Sequence, residues 1–133
     1  MLVEGAGGLL VPFSTDNAWT LVDLAHHLNA PFALVTNPGL GTLNHTMLTV
    51  DKIADESLEL AGIIIGSWPA APDLAMELNT YDLRKLSPRR ELGGILPAGM
   101  SAMRDFRKQA RAALSPRFGG TFDWSVFRKT LHV

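Results

Sequence analysis

Short, uninterrupted apolar segments alternate with longer stretches of helical periodicity along this chain of 133 residues. This alternation is typical of α/β domains, and apolar segments without polar alternation favour strands covered on both faces, as in a parallel sheet. We therefore expect a single α/β domain over residues 1–133. Its sheet would have few strands and an unpaired edge, as expected for the carboxyl-terminal part of a larger α/β domain. The predicted strands are Leu2–Glu4, Phe32–Thr36, Leu60–Gly66 and Gly94–Leu96, and the predicted helices are Thr20–Leu28, Leu43–Ser57, Asp73–Leu86, Met100–Leu114 and Trp124–Leu131.

Composition excludes several classes of protein. The chain has no cysteine, so it carries no disulfide framework, no thiolate zinc site and no cysteine nucleophile. The net charge of −1 divides into −6 over residues 1–66 and +5 over residues 67–133, but the bases lie on predicted helices without interleaved aromatic residues. No apolar stretch reaches the roughly 18 residues of a membrane helix, and no signal sequence opens the chain. We expect a soluble cytoplasmic protein with neither nucleic acid nor membrane as a partner.

The first segment with chemical potential is Glu4-Gly5-Ala6-Gly7, directly after the first predicted strand. A carboxylate at the carboxyl end of a parallel strand lies where open α/β sheets bind ligands, and the small residues let a phosphate approach the backbone. Glu4 could then bind Mg²⁺ directly or through water. The alternative is a flexible glycine turn with a solvated Glu4, because glycine-rich loops are weak signals.

The second segment is the glycine-containing loop that leads from Phe32–Thr36 into the next predicted helix, with Thr42 as a candidate N-cap. Free N–H groups at such a helix start attract a carboxylate or a phosphate. The alternative is an ordinary strand-to-helix connection.

The third segment combines Gly66-Ser67-Trp68-Pro69 with Pro97-Ala98-Gly99, two loops that we expect at the carboxyl ends of neighbouring strands. Small, rigid residues there suit a flat ring lying against the backbone. Trp68 either stacks on such a ring or, as we favour, packs over its own loop as an aromatic plug. The motif G-x-x-x-x-G-K-S/T is absent from these residues, as is G-x-S-x-G.

Two of these motifs together resemble a known family. Val3-Glu4-Gly5-Ala6-Gly7-Gly8, followed by Gly39-Leu40-Gly41-Thr42-Leu43-Asn44-His45-Thr46, resembles ATP-dependent dethiobiotin synthetase, and Gly66-Ser67-Trp68-Pro69 is similar to its actinobacterial-type members. The resemblance implies a P-loop NTPase-like (Rossmann-like), three-layer α/β/α fold with a mostly parallel sheet, acting as a homodimer. It also implies conversion of 7,8-diaminononanoate, CO₂ and Mg-ATP to dethiobiotin, ADP and phosphate. One amine is carbamated, ATP phosphorylates the carbamate, and the second amine closes the cyclic urea.

The resemblance also implies roles for individual residues. Glu4 would be a Mg²⁺ ligand beside a nucleotide and substrate cleft lined by Gly5, Ala6 and Gly7. The loop of Gly41, Thr42, Leu43 and Asn44 would receive the distal carboxylate of the substrate from across the dimer interface. Pro97, Ala98 and Gly99 would contact the nucleotide base. Gly66 and Ser67 occupy a position where many members place an asparagine that reads adenine. This departure leaves open whether the co-substrate is ATP or another nucleoside triphosphate.

A larger departure concerns the family's P-loop and catalytic lysine, which precede the motif around Glu4. We therefore expect a domain truncated at the amino terminus, with no catalytic residue in this chain and little activity alone. One alternative is a non-catalytic dimerisation or interaction fragment that retains the predicted helix Leu43–Ser57. Another is a fragment of a different P-loop amidoligase or a ParA-like ATPase, which would leave the residues from Gly41 to Thr46 unexplained.

Overall fold

A three-stranded parallel sheet organises the structure, a computed structural model that describes residues 1–16 and 18–133. In the described residues the strands are ordered β1-β2-β3, and both pairings are parallel. The predicted α/β class and parallel sheet are therefore confirmed. The main elements are α1 (Leu21–Leu28), β1 (Phe32–Thr36), α2 (Thr42–Asp55), β2 (Leu60–Trp68), α3 (Leu74–Leu86), β3 (Gly94–Pro97), α4 (Phe106–Ala113) and α5 (Trp124–Phe127).

The core forms around the central strand β2. Ile63 and Ile65 are fully buried and cluster with Leu83 of α3, Leu92 and Ile95 of β3. Residues from β1, α2 and the carboxyl-terminal segment pack around this cluster. A continuous apolar run is what a central parallel strand requires, because side chains on both of its faces are covered.

The edge strand β1 differs from this expectation. Its side chains alternate between half-buried and exposed, and Val35 is 59% exposed. The prediction that every strand is covered on both faces is therefore wrong for β1. In the described part of the chain only β2 pairs with it, so its other edge presents free backbone groups.

The predicted strand Leu2–Glu4 is also wrong, because this segment is irregular and exposed. Met1 and Leu2 have relative exposures of 107% and 96%, so the apolar side chains that suggested a strand bury almost nothing. A segment this short gains too little from burial to offset the entropy of ordering it. Further along, Gly5 lies against Leu21, where an added Cβ would be 3.0 Å from the Leu21 Cδ1 atom.

Helix boundaries follow local capping. Thr20 and Asp23 form a capping box at the start of α1, and Asp73 caps α3 by accepting a hydrogen bond from Met76 N–H. The predicted helix Met100–Leu114 is interrupted instead: a short 3₁₀ turn ends where Met103 N–H donates to the Met100 carbonyl, and α4 begins at Phe106. The predicted helix Trp124–Leu131 is likewise a short α5 followed by a 3₁₀ turn.

None of the described helices is long and apolar enough to cross a membrane.

Candidate functional site

The carboxyl ends of the three strands lie at one edge of the sheet, because all three strands are parallel. The register pairs Thr36 with Ile65 and Trp68 with Pro97. Three of the segments singled out in the sequence therefore lie at or just after the carboxyl end of a strand, all on the same side of the sheet. They are Gly41–Asn44 after β1, Gly66–Ser67 in β2 and Pro97–Gly99 at the end of β3.

The loop after β1 has a defined conformation. Gly39 N–H donates to the Asn37 side-chain oxygen over 3.0 Å, and Thr42 N–H donates to the Gly39 carbonyl over 3.2 Å. Gly41 has a φ of 90°, which glycine adopts without strain. Gly41 is the N-cap of α2, so the prediction that Thr42 occupies the cap is wrong, and Thr42 is the first helical residue.

Three threonine hydroxyls join β1 to α2. The Thr36 Oγ1 atom lies 2.7 Å from Thr42 Oγ1 and 2.9 Å from Thr46 Oγ1. Thr42 and Thr46 are almost completely buried. The Thr42 hydroxyl therefore lies in the protein interior, and it fixes the start of α2 against the end of the strand.

The start of α2 offers unpaired donors. The N–H groups of Gly41, Leu43 and Asn44 have no hydrogen-bond acceptor among residues 1–16 and 18–133. No side chain caps this 14-residue helix, and its first turn contains no acidic residue. The free N–H groups and the positive end of the helix dipole together can receive a carboxylate or a phosphate.

A residue that the sequence analysis missed holds this loop from the opposite side. Asn79 of α3 is 8% exposed, and its Nδ2 atom donates to the Pro38 carbonyl over 2.9 Å and to the Gly39 carbonyl over 3.1 Å. These residues lie 40 and 41 positions apart in the chain, so no local motif connects them.

The orientation of α3 explains why Asn79 was missed. Leu74 and Leu78 form the apolar pattern that marks this helix in the sequence, but they are 65% and 47% exposed. The buried residues of α3 are instead mostly polar. A polar set at helical spacing was the available signal, and it comprises Glu77, Asn79 and Thr80, followed by Leu83.

Glu77 binds His132 in the carboxyl-terminal segment. Its carboxylate is 3% exposed and accepts a hydrogen bond from His132 N–H over 2.8 Å, and His132 Nδ1 lies 2.7 Å from Glu77 Oε1. The hydrogen bond with the His132 ring holds the pKa of the Glu77 carboxyl below its ordinary value, and the bond from His132 N–H adds to this effect. Burial of the carboxylate acts in the opposite direction. Helix α3 thus holds both the loop after β1 and the carboxyl-terminal segment.

The strand ends next to this loop are small and accessible. β2 continues to Trp68, so Gly66 and Ser67 lie within the strand and not in a loop. An added Cβ on Gly66 would lie 3.2 Å from Val35 Cγ1, so the small residue permits close packing against β1. Ser67 is exposed with a φ of 55°.

The segment after β3 is held beside β2. Ala98 N–H donates to the Trp68 carbonyl over 2.8 Å, and Pro97, Ala98 and Gly99 are all exposed. Trp68 packs edge-on against Phe127 of α5 with ring centroids 5.6 Å apart. It therefore has a packing role, although against a helix and not over its own loop. The exposed surface at this point is therefore formed mainly by small residues.

The glycine-rich segment near the start of the chain is not brought to a strand end. Glu4 is exposed, and its side chain has no hydrogen bond or ion pair among the described residues. Ala6 is exposed, and Gly7 has a φ of 102° beside Val11. The expected position of Glu4 at the tip of a parallel strand is wrong, because that strand does not form.

The residues present fit Mg²⁺ only in part. Within the described residues, no group of three or more histidine, aspartate or glutamate side chains is arranged to hold a metal ion. Mg²⁺ commonly takes one or two carboxylates and completes its shell with substrate phosphates and water. A single accessible carboxylate such as Glu4 is compatible with that partial coordination.

Comparisons with known proteins agree with the motifs. A family model described as an AAA domain matches residues 1–102. The ATP-dependent dethiobiotin synthetase BioD of Frankia casuarinae is 52% identical over 130 residues, which cover 96% of this chain and 54% of the relative. Proteins of the same name from Parafrankia sp. and Streptomyces coelicolor are 49% and 48% identical, over 100% and 96% of this chain and 56% and 53% of their own lengths. The expected resemblance is confirmed, and the chain spans about half the length of the curated relatives it matches.

Proposed function

Because the chain belongs to the AAA domain family, we propose that it forms the substrate-tail and nucleotide-base portion of an ATP-dependent dethiobiotin synthetase. One observation carries the proposal: the unpaired N–H groups of Gly41, Leu43 and Asn44 lie at the sheet edge shared with Ser67 and Pro97–Gly99. The names of relatives about 50% identical to this chain support the same activity.

The substrate tail binds at the start of α2. In this proposal 7,8-diaminononanoate is carboxylated with CO₂ and closed to dethiobiotin, while ATP becomes ADP and phosphate. The carboxylate at the far end of the substrate accepts hydrogen bonds from Gly41, Leu43 and Asn44 N–H, whereas Thr42 holds the helix start through its buried hydroxyl. A helix N-terminus without acidic residues suits this role, because its partial positive charge is not neutralised by the protein.

The nucleotide base lies against small residues at the carboxyl ends of β2 and β3 and in the segment after β3. Gly66, Ser67, Pro97, Ala98 and Gly99 leave a shallow surface on which a flat ring can approach the backbone. Ser67 has one hydroxyl, whereas an amide would present a paired donor and acceptor to adenine. We therefore infer a weak preference among nucleoside triphosphates.

We also propose that Glu4 is a Mg²⁺ ligand. Gly5, Ala6 and Gly7 beside it would line the cleft that holds the nucleotide and the substrate. The free and exposed carboxylate of Glu4 supports this role. When bound, Mg²⁺ would neutralise negative charge on the phosphate groups. Glu4 would hold the ion as one of its oxygen ligands.

The proposal includes a homodimer in the cytoplasm. Apolar side chains on and before α2 are exposed, with Leu40 at 93%, Met47 at 48% and Leu48 at 61%. Such a patch on one helix favours contact with a second copy of the chain.

We expect little turnover from these residues alone, because the chain carries no catalytic residue in this proposal. Phosphoryl transfer depends on cations placed against the phosphates. Lys52 and Lys85 are paired with Glu56 and Asp82, and neither lies in the loops of the site.

A coupled phosphate-release assay with diaminononanoate, bicarbonate and Mg-ATP tests this expectation. The chain alone is expected to give background rates, and adding the unmatched part of the Frankia casuarinae synthetase is expected to raise them. Turnover by the chain alone would overturn the expected inactivity.

The tail-binding role has a separate test. Titrating the ¹⁵N-labelled chain with 7,8-diaminononanoate is expected to shift the amide signals of Gly41, Leu43 and Asn44. Its methyl ester, which lacks the negative charge, is the control ligand and is expected to shift them little. Equal shifts with both ligands, or none with the acid, would contradict the proposed function.

A non-catalytic interaction module is the second candidate. The free edge of β1, with exposed Ala33 and Val35, supports it because an unpaired strand can bind another strand. A stable complex with a longer protein, without affinity for any nucleotide, would favour this candidate over the synthetase.

A further inference from the structure

The buried side chain of Asn79 lies behind the loop that we propose binds the substrate tail. We propose that Asn79 is a positioning residue: it holds the loop from Pro38 to Gly41 so that the amides at the start of α2 point at one carboxylate. This inference rests on the proposed function of that loop.

The hydrogen-bond geometry ties the loop at two consecutive peptides. One side-chain nitrogen of Asn79 donates to the Pro38 carbonyl over 2.9 Å and to the Gly39 carbonyl over 3.1 Å, which uses both protons of the amide. The Gly39 carbonyl also accepts Thr42 N–H. Two donors on that carbonyl fix the peptide plane immediately before the helix N-cap.

The loop benefits from such a tether because two of its residues are glycines. Gly39 and Gly41 flank an exposed Leu40, and glycine loses more conformational freedom on ordering than any other residue. Leu40 is 93% exposed and anchors nothing. The polar contact from α3 therefore adds to the packing of the buried Pro38. By ordering the loop in advance, it lowers the entropy lost when a ligand binds.

The contact must be made by a neutral donor. An aspartate has nearly the same shape, but its carboxylate would face two carbonyl oxygens and add negative charge beside an anion site. Asn79→Asp therefore removes the tether without opening a large cavity. Asn79→Ala removes the tether and the side-chain volume together.

We would test the inference on the 133-residue chain by NMR and by titration. In the wild type, backbone order parameters for residues 39–41 are expected near the rigid value of about 0.85. In Asn79→Ala and Asn79→Asp they are expected to fall below about 0.6. The Kd for 7,8-diaminononanoate is expected to rise about tenfold or more in both variants, while binding of its methyl ester is expected to change little.

A core variant separates this effect from general loss of stability. Ile63→Val removes one methyl group from the centre of the core, at a position of β2 that pairs with Leu34. The backbone N–H and carbonyl of Ile63 bind Ser87 and Gly93 and not the loop. It is expected to lower the urea midpoint while leaving the loop order parameters and the Kd within about twofold of the wild type. Equal changes in Ile63→Val and the Asn79 variants would overturn the inference.

The outcomes distinguish this inference from the proposed function. Unchanged order at residues 39–41 in both Asn79 variants would overturn the positioning role, whatever the ligand does. Loss of loop order combined with no binding of diaminononanoate by the wild type would overturn the proposed function and the substrate role of Asn79. Loss of loop order in the Asn79 variants, with a raised Kd for 7,8-diaminononanoate but not for its methyl ester, would support both the positioning role and the proposed function.

Discussion

The hydroxyl of Thr36, the last residue of β1, lies 2.7 Å from the hydroxyl of Thr42, the first residue of α2. The same Thr36 oxygen lies 2.9 Å from Thr46 Oγ1, one turn further along the helix. A strand end and a helix start are thus joined by three side chains that bury their polar atoms against one another. The N-terminus of α2 is held at the sheet edge by this contact.

Replacing Thr36 with valine is expected to destabilise the protein by about 1–3 kcal/mol, because buried hydroxyls of Thr42 and Thr46 lose their partner. Urea unfolding followed by circular dichroism measures the change. Thr121→Val, at an exposed position, is the matched control and is expected to stay within about 0.5 kcal/mol of the wild type. Replacing all three threonines with valine is expected to recover much of the loss, since no buried hydroxyl then remains unpaired.

Gly94 at the start of β3 is expected to tolerate no side chain. An added Cβ would lie 2.3 Å from the Ala113 carbonyl oxygen, and the φ of 155° is unfavourable for other residues. Gly94→Ala is expected to cost about 3 kcal/mol or more in the free energy of unfolding. Gly119→Ala provides the comparison, because its φ is 76° but no atom lies within 4 Å, and we expect a loss of about 1 kcal/mol. Equal losses in the two variants would show that the Ala113 contact is unimportant.

The Glu77 carboxylate predicts a pH dependence of stability. The pKa of the Glu77 carboxyl is lowered in the folded protein. Its contribution to the free energy of unfolding is therefore fully present above the pKa of the unfolded chain, about 4.3, and is lost as the pH falls through the lower pKa of the folded protein. In chemical unfolding from pH 7 to pH 3, the wild type is expected to lose its advantage over Glu77→Gln as the pH falls below the unfolded value and through the folded one. Exposed Glu91 serves as the control position. A difference between wild type and Glu77→Gln that is constant over the whole range would contradict the role of the His132 contact.

Substituting Ser67 with asparagine is expected to sharpen nucleotide selection. Ser67 has a φ of 55°, a conformation that asparagine adopts more readily than most residues, so the change introduces little strain. If the base lies beside this position, the added amide is expected to favour ATP over GTP by about tenfold, consistent with one well-placed pair of hydrogen bonds. Fluorescent nucleotide displacement measures both affinities. Unaltered ratios would argue that the base binds elsewhere.

Some of the fold follows directly from the sequence and some depends on contacts that the sequence does not display. The apolar run of β2 is a local feature that predicted its strand. The helices predicted to begin at Thr20 and Asp73 also form, and each of these residues is the N-cap just before its helix. Leu2–Glu4 has the composition of a strand, but strand formation depends on a neighbour to pair with. The orientation of α3 was unpredictable from Leu74 and Leu78, because its polar face is buried by partners more than 40 positions away along the chain.

The candidate site divides in the same way. The loop around Gly41 and the segment from Pro97 to Gly99 could be identified from the sequence, because glycine and proline mark the ends of parallel strands. Asn79 could not, since its partners are two backbone carbonyls that any loop possesses.

The open side of β1 affects how any measurement of self-association is interpreted. Val35 is exposed, and the backbone N–H and C=O groups on the free edge of β1 have no partner strand among the described residues. Two molecules can therefore pair through their β1 strands at the millimolar concentrations that NMR requires. Sedimentation of Val35→Lys beside Leu48→Lys would separate the two modes, since a charge on the strand blocks the first and a charge on α2 blocks the second. An assembly abolished only by the lysine at position 35 forms through the edge of β1, and it is then no evidence for a dimer that pairs through α2.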